Sequence, residues 1–229
     1  MLSRTNYRPI KPLILLTYLK DYPEQDVILS AQMRPGAFFE TTNEKDKFAY
    51  LGRFPPNFRG NSASVADIND FAFALTYSPA PCIHGYWEVL CSDAITFVTD
   101  PRQGTIQNSK IYATIGDFNR SPLYFTIGKR SISFGQMYTV NPFTAPVTWH
   151  YFGALHDGCS VGYYDSGLYL EATAMNGGRG IRVADTNHRG KLDNWAINGR
   201  YQICSSEGSI ALGGGYLHST IYDGPEAEH

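Results

Sequence analysis

Residues Ile111–Gly128 read IYATIGDFNRSPLYFTIG, and this stretch decides the fold class. In an extended chain Ile111, Ala113 and Ile115 fall on one face, with Tyr112 and Thr114 on the other. Asp117-Phe118-Asn119-Arg120-Ser121-Pro122 is a turn cluster: Asp and Asn bond to nearby backbone, and Pro interrupts pairing. Leu123, Phe125 and Ile127 then repeat the apolar row, with Tyr124 and Thr126 opposite. Two alternating segments around a short turn predict a β-hairpin.

The same period-two pattern extends in both directions. Leu168–Met175 places Leu168, Leu170, Ala172 and Ala174 against Tyr169, Glu171 and Thr173. In Trp195–Cys204, Trp195, Ile197, Tyr201 and Ile203 oppose Asn198, Arg200 and Gln202. Phe71–Tyr77 sets large apolar residues against Ala72, Ala74 and Thr76, and Ser209–Thr220 alternates around Gly213-Gly214-Gly215. Val27–Thr41, Phe48–Phe54, Tyr86–Cys91 and Cys159–Tyr164 complete a set of roughly nine to eleven strands. Breaks by Gly, Pro, Asn, Asp or Ser leave little helical periodicity, so the expected fold is an all-β antiparallel meander.

Composition agrees with that class. The chain has 229 residues, with aromatics at 14%, 22 Gly and 13 Pro, which suits pleated surfaces punctuated by turns. Its length fits one large β-architecture. A formal net charge of -2 gives no footprint for gripping phosphate backbones, so nucleic acid is not an expected partner.

Each two-faced strand needs an environment for both faces. A soluble sandwich turns the apolar face inward; a transmembrane barrel turns it to lipid and the polar face to a wet lumen. Three features favour the membrane. Strands of about ten residues suit a tilted crossing of the hydrocarbon layer. Tyr, Phe and Trp cluster near strand ends, as interfacial girdles require. Mean hydropathy is -0.27, too low for helical spans but compatible with a polar interior. In that arrangement the residues facing solute are Arg130, Glu171, Asn198, Arg200 and Gln202, where a wet lumen tolerates charge. Each has an alternative role as a brace to its neighbour. The Pro-containing segment Thr139–Phe152 (TVNPFTAPVTWHYF) is then an external loop that either folds inward or stays peripheral.

No catalytic residues, cofactor or metal site are expected. The six histidines are scattered, and the GxSxG, HExxH and P-loop spacings are missing. Gly177-Gly178-Arg179-Gly180 reads as a flexible loop. Asp185–Gly190 lacks the closing bidentate Glu of a calcium loop. Cys82, Cys91, Cys159 and Cys204 form no CxxC; a Cys82–Cys91 disulfide is one option in an oxidising compartment, with unpaired cysteines the other. Leu13–Leu19 (LILLTYL) follows Arg4, Arg8 and Lys11 in the manner of a secretory signal. The prolines at 9 and 12, and Lys20-Asp21 after it, favour an ordinary N-terminal segment.

From Lys110 to Tyr138 the chain resembles the central hairpin of Gram-negative outer-membrane porins of the phosphate-selective type and their siderophore-porin relatives. The matching features are strands ending in Ile115-Gly116 and Ile127-Gly128, then Phe134-Gly135, then the Pro-containing run Asn141–Pro146. Gly162-Tyr163-Tyr164 with Leu168–Gly177, and Asp193–Tyr216, resemble later strand pairs of that family. The resemblance covers Asp26 to Asp223. It implies an N-terminal segment over 1–25, a porin-like transmembrane β-barrel over 26–223 and a polar tail over 224–229. It also implies location in the cell outer membrane and passive or facilitated uptake of small solutes, with iron-siderophore complexes the subgroup's substrate. The lipid bilayer is the implied partner, and a homo-oligomer is compatible. Members of the family are longer and finish on an aromatic strand, so the expectation includes a truncated or split member, or a non-functional fragment. The competing reading is a soluble β-sandwich that binds glycans through Trp87, Trp149 and Trp195.

Overall fold

The computed structural model describes residues 11–22, 26–41, 43, 61–91, 106–135, 155–176, 192, 194–206 and 208–218. A short helix, α1 (Lys11–Asp21), precedes nine strands: β1 (Val27–Thr41), β2 (Ser62–Ala80), β3 (Ile83–Cys91), β4 (Ile106–Gly116), β5 (Leu123–Ser131), β6 (Leu155–Asp165), β7 (Leu168–Met175), β8 (Asn194–Cys204) and β9 (Ser209–Leu217). The strands form one sheet in sequence order, each pairing antiparallel with the next. The all-β antiparallel meander is therefore the fold. The sheet is not closed: β1 and β9 are its edges, and being first and ninth in an antiparallel series they run in the same direction.

The hairpin at the centre of the sequence forms as its alternation dictates. Ile111 pairs with Lys129 and Gly116 with Tyr124. Its turn is held by Asp117, whose Oδ1 accepts from the Asn119 amide at 2.9 Å and whose carbonyl accepts from Arg120 and Ser121. Between β6 and β7 the turn is Ser166-Gly167, with φ of 47° and 84°; positive φ at both positions is the type I′ signature that matches strand twist. The expected segment Phe48–Phe54 lies outside the described residues.

The connections sort by length. At one end of the sheet they are 81–82, 117–122, 166–167 and 205–208; at the other they are 42–61, 92–105, 132–154 and 176–193. The chain thus makes short turns at one end and long excursions at the other. The expected loop Thr139–Phe152 and the Gly177–Gly180 and Asp185–Gly190 segments fall in the long connections, outside the described residues.

Burial is inverted relative to a water-soluble sheet. Thr76, His84, Glu88, Lys110, Thr114, Thr126, Arg130, Ser160, Glu171, Thr173 and Asn198 are buried. Phe71, Trp87, Ile111, Ile127, Val161, Leu170 and Ile197, on the opposite face of the same strands, are exposed. Three apolar groups also lie on the inner face, one of them Ala74 with Tyr86 and Tyr112. Ile132, just beyond β5, packs with Met175 and Ala196. Leu13 and Leu16 of α1 pack with Tyr124 and Tyr169, and Phe118 and Tyr164 lie against them. The helix forms where Pro12 opens its first turn and leucines recur at 13, 16 and 19, while Thr17, Lys20 and Asp21 stay exposed. Burial of each of these leucines contributes about 1.5–3 kcal/mol.

Two open points of the sequence reading are decided. Cys82 sits in the turn before β3 and Cys91 ends that strand. At roughly 3.3 Å per residue along a strand they lie far beyond the reach of a disulfide. Cys82, Cys159 and Cys204 are free thiols. Nor do all the strand-end tyrosines belong to an outer girdle: Tyr86, Tyr112, Tyr124 and Tyr169 face inward and are buried.

Candidate functional site

Strands β3 to β8 aim their polar rows into the same interior, and two carboxylates organise it. Glu88 on β3 lies directly across from Lys110 on β4. Lys110 Nζ donates to Glu88 Oε1 at 2.5 Å, and Tyr86 OH donates to Oε2 at 2.6 Å. Tyr86 also faces Tyr112 across the same strand pair, their rings stacked with centroids 4.9 Å apart.

The second carboxylate, Glu171 on β7, takes more donors. Its Oε2 accepts from Tyr124 OH at 2.6 Å and from Tyr169 OH at 2.8 Å. Its Oε1 accepts from Arg130 Nη2 and, at 3.3 Å, from Thr173 Oγ1. Arg130 Nη1 donates to Ser160 Oγ at 3.2 Å. Ser133 continues the chain: its hydroxyl lies 2.7 Å from Tyr169 OH and accepts from Asn198 Nδ2 at 3.4 Å. With the Tyr169 proton committed to Glu171, Ser133 is the donor to Tyr169. Arg130 and Glu171 are 3% and 2% exposed, so both ions are enclosed and mutually neutralised.

These contacts cross β6, which separates β5 from β7. They do so because the inward row of β6 carries almost no bulk at Gly158, Ser160 and Gly162. A Cβ on Gly162 would stand 2.1 Å from Tyr124 Cζ, so the phenol ring occupies the side-chain space that glycine leaves open.

A smaller polar contact lies near the short-turn end. His84 Nδ1 is 3.0 Å from Ser78 Oγ and Nε2 is 3.3 Å from the Gly116 carbonyl. Because the carbonyl only accepts, Nε2 carries the proton and Ser78 donates to Nδ1. By contrast Tyr112 OH, Thr114 Oγ1 and Thr126 Oγ1 are buried with no hydrogen-bond partner among the described residues.

Of the residues expected to face solute, Arg130, Glu171 and Asn198 join one network. Arg200 and Gln202 form a separate contact on β8, Arg200 Nη2 donating to Gln202 Oε1 at 3.1 Å, and both are half-buried. Sequence reasoning missed Glu88, Lys110, Tyr86, Tyr124, Tyr169 and Ser133. The alternation around Tyr124 and Tyr169 already placed them on the polar face; their partners across β6 left no local trace. The Glu88 and Glu171 carboxylates are taken up by cations and phenols, and Tyr86, Tyr124 and Tyr169 are committed as donors to them. Among the described residues no group of three or more His, Cys, Asp or Glu is arranged to hold a metal.

The outer face has its own pattern. Along β5 it is Leu123, Phe125 and Ile127, then Lys129, which pairs in register with Asp157 on β6. Along β5 the outward charge thus appears only toward the long-loop end. Trp195 packs against Tyr216 at 5.0 Å and Trp87 Nε1 donates to Asn108 Oδ1 at 2.9 Å, each indole combining an apolar body with a polar edge.

No protein-family model matches the chain, and no curated protein is significantly similar to it in sequence.

Proposed function

We propose that this chain forms the wall of an outer-membrane porin-like channel that passes small solutes, with iron-siderophore complexes as the substrate class its sequence resemblance suggests. The observation that carries the reading is the inverted sheet: ion pairs and hydrogen-bonded tyrosines buried inside, isoleucine, leucine, phenylalanine and tryptophan exposed outside. In water that exposed apolar face is a large unfavourable surface; against lipid it is at rest. The alternation of short turns with long connections adds support, because transmembrane barrels use short turns at one mouth and long loops at the other. The buried hydroxyls of Tyr112, Thr114 and Thr126 call for water, which a wet interior supplies.

Within this reading Arg130 and Glu171 brace the wall, since enclosure removes them from any solute. Asn198 holds the segment after β5 through Ser133, and Arg200 and Gln202, half-exposed, are the better candidates for solute contact. The glycan-binding alternative requires a second sheet over the apolar face, and the described residues form only one. The test is extraction and migration. The protein is expected to partition into detergent and to migrate faster on gels before boiling than after. It is also expected to conduct ions in planar bilayers. A protein that purifies as a soluble monomer without detergent refutes the reading.

A further inference from the structure

We infer that α1 is a plug seated in the short-turn mouth of the channel, and that it is coupled to the interior ion pair through two tyrosines. The inference rests on the channel reading above. The helix does not lie against the outer apolar face, where a leucine-rich segment finds ready contact. It lies on the inner, polar side of the sheet. Leu16 Cδ1 comes within 3.3 Å of where a side chain on Gly116 would begin, and Gly116 shares the inward row of β4 with Tyr112 and Thr114. The partners of Leu13 and Leu16 all border short turns. Phe118 lies in the 117–122 turn, Tyr124 opens β5 just beyond it, and Tyr164 and Tyr169 flank the 166–167 turn. Four leucines of the helix, at 13, 15, 16 and 19, are buried.

The coupling follows from the two faces of a phenol. Tyr124 and Tyr169 share one buried cluster with Leu13 and Leu16 and direct their hydroxyls to the same oxygen of Glu171. The helix therefore holds the rings in the rotamers that deliver both protons to the carboxylate, and the carboxylate in turn fixes Arg130. Withdrawing α1 opens the mouth and releases two of the donors that hold Glu171. The lumen then widens where the ion pair stands, so the plug state and the interior electrostatics change together.

The test uses the full chain, folded in detergent and inserted into planar bilayers, beside two variants: Leu13→Asp/Leu16→Asp, and a chain lacking residues 1–22. Both variants are expected to conduct several-fold more than the wild type while keeping heat-modifiable migration. As a second measurement, Leu16→Cys in the folded protein is expected to resist a water-soluble maleimide and to react fully after unfolding in urea. Equal conductance of wild type and both variants in inserted protein overturns the plug and leaves the channel reading standing. Rapid labelling of Leu16→Cys in the folded state overturns the plug as well. Membrane-extracted protein whose first residue lies beyond Asp21 also overturns it, because the helix would then be lost on export. Failure of every form to insert overturns the channel reading, and the plug with it.

Discussion

The phenol ring of Tyr124 rests on Gly162, its register partner on β6, and reaches over that strand to donate a proton to Glu171 on β7. A ring on one strand, a missing side chain on the next and a carboxylate on the third form a single unit. Three strands are tied by it beyond their backbone pairing.

That unit makes Gly162 a sensitive position. Gly162→Val is expected to push the ring off the strand and to break its bond to Glu171. The strain of overpacking is about 1–3 kcal/mol, with the lost charge-assisted hydrogen bond in addition. Urea titration in detergent micelles, read by the gel-shift between folded and unfolded forms, gives the change in midpoint. An unchanged midpoint contradicts the packing described.

Arg130 and Glu171 test the energetics of an enclosed pair. Arg130→Met leaves the carboxylate without its cation and Glu171→Gln leaves the guanidinium without its anion; each is expected to cost about 3–5 kcal/mol. The double variant Arg130→Met/Glu171→Gln is expected to be less destabilised than the sum of the singles. A double-mutant cycle on the same urea assay reports the coupling, and additive losses contradict it.

Outward positions discriminate membrane from water. Ile127 and Ile197 are 51% and 50% exposed. Facing lipid near the bilayer centre, Ile127→Arg or Ile197→Arg costs about 2–4 kcal/mol; facing water, the same changes stay within about 0.5 kcal/mol. Folding yield into vesicles of the two variants, compared with wild type, separates the outcomes.

Tryptophan reports the same face by light. With Trp149→Phe as background, emission comes from Trp87 and Trp195, both on the outer face. Vesicles containing bromine-labelled acyl chains are expected to quench it strongly. Emission that ignores the bromine but falls with iodide in the buffer places the indoles in water.

The thiols give a chemical check. Cys82 and Cys204 are exposed and unpaired, so iodoacetamide is expected to modify both without reductant. Mass spectrometry of the peptides reads the result. A Cys82–Cys91 cross-linked peptide contradicts the strand placement of β3.

Local alternation made much of the sheet legible in the sequence. Val27–Thr41 and Leu168–Met175 are strands over the ranges their patterns imply, since two-residue periodicity needs no distant information. β2 runs further than its apolar core suggests, from Ser62 to Ala80, because pairing with β1 and β3 recruits flanking residues that carry little strand preference of their own. The segment Leu13–Leu19 reads as an ordinary N-terminal segment rather than a secretory signal, and its place in the fold is not legible because its packing with Tyr124 and Tyr169 is a contact between residues far apart in sequence. Arg130 and Glu171 were each placed on the polar face, yet their contact was invisible. It depends on the small inward residues of β6, Gly158, Ser160 and Gly162, over which two residues on other strands meet. The alternation placed Tyr112, Tyr124 and Tyr169 on the polar face, but Tyr124 finds Glu171 two strands away, Tyr169 finds Ser133 beyond β5 as well as Glu171 on its own strand, and the Tyr112 hydroxyl finds no partner among the described residues.

Among the described residues the sheet has nine strands, and β1 and β9 run in the same direction. In the proposed channel, a ring made wholly of antiparallel neighbours holds an even number of staves. The rest of the wall then contributes an odd number beside these nine, a single stave being enough. It enters where the long excursions lie and leaves beside the tight turns, whichever polypeptide provides it. Two like-oriented copies set side by side would instead meet along parallel seams.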